Sequence, residues 1–168
     1  MRDVPLRHCA TFNGPVEIGL RALCVLTAAF PSPFTLERLV VFDYLVVHSD
    51  DLPAGPKGLH PRTPSRAGEI LVRRGVLQEG LSLYESRGLV ATVYTPVGIL
   101  FAATDSSGDF LDAMSTDYAR HLRDRADWLV DRFVCLSDSD LVALVREQMS
   151  GWRAECAIES MPYPEEDS

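Results

Sequence analysis

LYESRGLVATVYTPVGILFAAT, residues 83–104, decides how the chain is organised. Gly88 follows a helical pattern and can take the left-handed conformation that ends a helix, with Leu89 placed to fold back onto the last turn. LVATVY and ILFAAT are short β-rich runs flanking a Pro/Gly turn at TPVG, the pattern of a hairpin. A helix that stops at Gly88 and leads straight into a hairpin is the informative junction; everything else is arranged around it.

Upstream, Ser65 can cap a long helix running to Arg87, with Ile70, Leu77, Leu81 and Tyr84 in one stripe and Leu71, Val76 and Leu83 widening it. Gly68, Gly75 and Gly80 lie inside this helix, each costing about 1 kcal/mol against alanine. They predict either the close approach of another backbone or a break near Gly75. Before it, residues 49–64 hold four prolines and read as a loop in which Leu52 and Leu59 need cover. Two further helices precede the loop. One spans about 15–30, started by Pro15 and Glu17 and striped by Ile18, Ala22, Leu26 and Phe30. The other spans about 36–48 behind Thr35 and has no strict period of two. Downstream, a long amphipathic helix is expected over 105–134 and a last one near 138–152, opened by the capping pair Ser137 and Asp140. The fold class is therefore mostly α with a small β-hairpin: a winged-helix-like domain over 13–104, a helical C-terminal extension over 105–155 and an acidic, disordered tail over 156–168.

The 168 residues carry 24 acidic and 16 basic groups, net −8. Residues 1–60 hold 5 basic and 6 acidic groups, 61–104 hold 5 and 3, and 105–168 hold 6 and 15. An acidic chain argues against a stand-alone nucleic-acid binder. Lys57 is the single lysine; arginine, the other cation used, stays charged when buried. No apolar run reaches membrane-spanning length, and MRDVPLRHCATFNG has no signal-peptide core. The four scattered cysteines, with no CxxC, fit a reducing, cytoplasmic setting.

Asp43, in VFDYLVVHSD (41–50), is the one carboxylate in an apolar helix face. Unpaired there, it would cost several kcal/mol or take up a proton. The pairing expected is with an arginine of the helix after the loop: Arg66, Arg73 or Arg74. That makes Asp43, Arg73 and Arg74 candidate structural anchors, a reading that outweighs a catalytic acid because no second carboxylate or histidine lies at suggestive spacing. Histidines 8, 48, 60 and 121 form no HxxxH or HExxH, so no metal is expected. GxSxG, GxxxxGK[ST] and GxGxxG are absent, so neither catalysis nor a cofactor is expected. Arg62, Arg66 and Arg87 are candidates for DNA or partner contact, the third helix of a winged helix being the one that enters the major groove. Against DNA stands a hairpin tip without a basic residue. Trp128 and Trp152 are candidates for a partner interface.

EIGLRAL, FDYLVVHS, LHPRTP, GEILVRR and LSLYESRGLV, together covering about residues 16–104, resemble the middle components, of the second type, of bacterial three-component ABC ATPase systems. The resemblance implies a small winged-helix-like subunit encoded beside an SMC- or Rad50-like ABC ATPase and an effector, in defence against phage and plasmids, with Lamassu a related case. It implies a non-catalytic adaptor bridging the ATPase to the effector or to DNA; it assigns no residue a binding role. The alternative is a winged-helix DNA-binding regulator acting alone, dimeric, with Arg73 and Arg74 on the duplex.

Overall fold

In the computed structural model, residues 13–61 and 66–159 are described, with side chains over 13–61 and 73–148. Gly14 is extended and Pro15 takes the first position of α1, Pro15–Ala28, with Glu17 in the first turn. The helix ends before Phe30, which leaves the apolar stripe and lies half-exposed in the turn that follows. Ser32 N–H closes that turn on Ala29 O at 2.8 Å.

Phe34–Thr35 forms a strand, β1, too short to leave any periodicity in the sequence. Thr35 then caps α2, Leu36–Val47, its hydroxyl accepting from the Arg38 N–H. Apart from Glu37 every residue of α2 is buried, so the helix is central and its apolar set runs all the way round.

After a 3-10 turn at Ser49–Asp51 and the proline-rich loop comes α3, Arg66–Ser86, continuous through Gly75. A Cβ at Gly75 would meet nothing within 4 Å. At Gly80 it would lie 2.6 Å from Pro15 O and 2.9 Å from Gly19 Cα. The close approach is therefore real and sits one turn before Tyr84, whose hydroxyl donates to Val16 O at 3.0 Å. Gly88, at φ 73°, ends α3, and Leu89 N–H turns back to Tyr84 O at 3.0 Å.

The hairpin is β2, Val90–Thr95, and β3, Gly98–Ala103, with Pro96 and Val97 at the turn. Thr92 faces Phe101 and Tyr94 faces Ile99 across the pair. β1 adds on the far side of β3, Phe34 opposite Phe101, giving an antiparallel sheet ordered β1-β3-β2.

The long helix expected over 105–134 is two helices, α4 Ser106–Asp112 and α5 Asp117–Phe133. Ser107 supplies the polar anchor of α4: its hydroxyl accepts from Thr104 N–H at 2.9 Å and donates to Leu89 O at 2.6 Å. Thr116 is extended and caps α5 through Ala119 N–H, a second helix start that outcompetes continuation of the first. The last helix, α6, runs over Asp138–Glu159, longer than expected and four residues into the stretch read as tail; residues 160–168 of that tail lie outside the described residues.

Among the described residues a contiguous core runs from Ile18 to Val145. It includes Leu122, Leu129 and Phe133 of α5 and Leu141 and Val145 of α6 together with the faces of α1, α2 and α3. The boundary read at 104/105 thus separates two stretches of chain that share a core.

Candidate functional site

Asp43 lies where α1, α2 and α3 meet. Its Oδ1 accepts from Arg21 Nε at 2.6 Å, and its Oδ2 from Arg73 Nη1 at 2.5 Å and Arg21 Nη2 at 3.3 Å. Arg73 Nη1 also approaches the Asp43 carbonyl oxygen at 3.4 Å. Arg21 and Asp43 are each 1% exposed and Arg73 is 3% exposed. One carboxylate from α2 thus holds one guanidinium from each flanking helix, out of water.

The ring of groups around this trio is polar but enclosed. The Arg73 guanidinium sits over the Tyr44 ring, 5.6 Å from its centroid, and Tyr44 donates to Asp51 Oδ2 at 2.6 Å. His48 stacks obliquely on Tyr44 at 4.7 Å and meets His60 edge-on at 6.3 Å. His60 Nε2 and the Tyr118 hydroxyl are hydrogen-bonded at 3.0 Å, which ties the loop to α5. Burial, then the positive charge of Arg21, the neighbouring His48 and the charge of Arg73, push His60 down to about 4. The imidazole is neutral near pH 7, a state suited to packing between aromatic rings. Burial likewise pushes Tyr118 upward. Cys24 is driven by burial to about 12, so its thiol carries no thiolate character at neutral pH.

A second charged clamp joins α2 to the C-terminal helices. Arg38 Nε donates to Asp138 Oδ1 at 2.6 Å, Nη1 to Phe133 O at 3.3 Å, and Nη2 to Leu136 O. Thr35 donates to the other oxygen of Asp138 at 2.5 Å. Burial pushes the Asp138 carboxyl up, but the hydrogen bonds from Thr35 and Arg38 outweigh it and leave it below the usual range. The Arg38 guanidinium also covers the rings of Phe34 and Phe42. Two more arginines fix the proline-rich loop: Arg125 donates to Lys57 O at 2.9 and 3.2 Å, and Arg132 to Pro53 O at 3.2 Å.

The remaining candidates separate. Arg74 does not reach Asp43; it points outward and pairs with Glu37 at 2.7 Å, both half-exposed. Helical geometry explains this, since adjacent residues face about 100° apart and Arg73 already occupies the inward position. The burial of Arg73 removes it from any duplex-facing surface. Arg87 is exposed at the end of α3. Arg66 opens α3 with a side chain outside the described residues, and Arg62 lies outside them altogether. Trp128 is half-buried, its ring edge-on to Phe133 at 6.3 Å and covered by Arg132 at 5.4 Å. Trp152 falls within α6, its side chain outside the described residues.

Arg21 and Arg38 are the residues the sequence reading missed. Arg21 had a signal: it is the only charge in the run from Ile18 to Phe30, three residues after Ile18 and beside Ala22, on the face read as apolar. Among the described residues no group of three or more His, Cys, Asp or Glu side chains is arranged to hold a metal. Nor, among them, is any helix long and apolar enough to cross a membrane.

A family model described as the ABC-three component (ABC-3C) system Middle Component 2 matches residues 11–155. No match was found among curated proteins or among solved structures.

Proposed function

The chain belongs to the Middle Component 2 family of ABC-three component systems, and from that premise we propose that it is a non-catalytic adaptor. It links an SMC- or Rad50-like ABC ATPase to the effector of the same system in a bacterial, cytoplasmic defence complex. The observation that carries this reading is the Asp43 centre. The buried carboxylate of Asp43 is held by Arg21 and Arg73 in an enclosed junction, where it fixes three helices. The Arg38–Asp138 clamp extends the same rigidity to α6. Groups used in this way suit a body whose surface does the work.

Within this reading residues 13–104 are a winged-helix-like module. The order α1-β1-α2-α3-β2-β3, with β1 completing the sheet beside β3, supports it. A protein partner is favoured over DNA. Arg73 is buried, Arg74 is paired to Glu37, and the hairpin from Gly88 to Thr104 contains no charge with which to follow phosphates.

Co-expression with the ATPase and effector encoded beside it, followed by affinity capture on this chain, tests the proposal. Both partners are expected to co-purify, and the chain alone to hydrolyse no nucleotide, nucleic acid or peptide substrate. Failure to capture either partner would remove the adaptor role. A steeply salt-dependent affinity of the isolated chain for duplex DNA, lost on Arg87→Ala, would replace it with the stand-alone regulator.

A further inference from the structure

We draw no further inference here: the strongest candidate, the uncharged β2–β3 hairpin with β2 at the edge of the sheet and Tyr94, Val97 and Ile99 exposed, is an apolar face for which nothing in the structure shows what covers it.

Discussion

Replacing Asp43 with alanine leaves two guanidiniums, on Arg21 and Arg73, in a junction where water does not reach them. Removing one partner of a buried ion pair costs about 3–5 kcal/mol, and here both arginines lose their carboxylate at once. Against a total stability of about 5–15 kcal/mol for a domain, the variant keeps a small margin. For a chain of this size each kcal/mol moves Tm by about 2–4 °C, so the expected fall is about 6–20 °C. Urea unfolding followed by far-ultraviolet circular dichroism gives the free energy by linear extrapolation, and an unchanged slope shows that the difference lies in stability. The triple variant Asp43→Leu, Arg21→Met, Arg73→Met removes all the charge together and is expected to recover most of the loss, because a buried ion pair and a well-packed apolar set are often equivalent. Asp43→Ala within about 1 kcal/mol of the parent would refute the reasoning that this carboxylate holds the three helices.

Other outcomes follow from single sites. Gly75→Ala, opening into empty space, is expected to stabilise by about 1 kcal/mol, while Gly80→Ala, which drives a methyl into the backbone of α1, is expected to destabilise by about 1–3 kcal/mol; paired melting curves read both. His60 has a folded pKa of about 4 against 6.5 unfolded, so the unfolded chain binds its proton first as pH falls. That stability is complete above pH 6.5 and declines toward pH 4, by about 1–2 kcal/mol once screening of a half-buried ring is allowed for; subtracting the pH profile of His60→Gln isolates it. Arg38→Met breaks the contacts to Asp138 and the α5–α6 turn, costs about 2–3 kcal/mol, and is expected to show first as lost amide protection in α6 by hydrogen exchange. Arg74→Ala changes stability by less than about 0.5 kcal/mol, separating it from Arg73 in the same melts.

The sequence was most readable where local chemistry is strong. The Gly88–Leu89 stop and the Pro96-centred turn announce the junction of α3 with the hairpin, and Thr35 and Ser137 announce helix starts. Asp43 was readable as a buried acid needing a cation, and Arg73 lay among the three arginines considered, because a lone carboxylate in an apolar helix has few physical solutions. What was not readable depends on long-range packing. Arg21 sits 22 residues before Asp43, and only the crossing of α1 over α2 brings the two together. β1 exists because β3 is beside it; two residues carry no period. The α4–α5 break was written in Met114-Ser115-Thr116-Asp117, but amphipathic periodicity on either side masked the cap.

The Asp43 junction also constrains how such a sequence can drift. Losing either arginine leaves the acid with a single buried counterion, and losing the acid takes the shared carboxylate from both bases, so each first step lies downhill in fitness wherever folding is marginal. Only a concerted exchange at positions 21, 43 and 73 reaches an apolar alternative of equal stability. Such a trio works as an evolutionary ratchet: once assembled, it resists erosion one codon at a time, while the solvent-facing Arg74–Glu37 pair next to it can be rewritten freely.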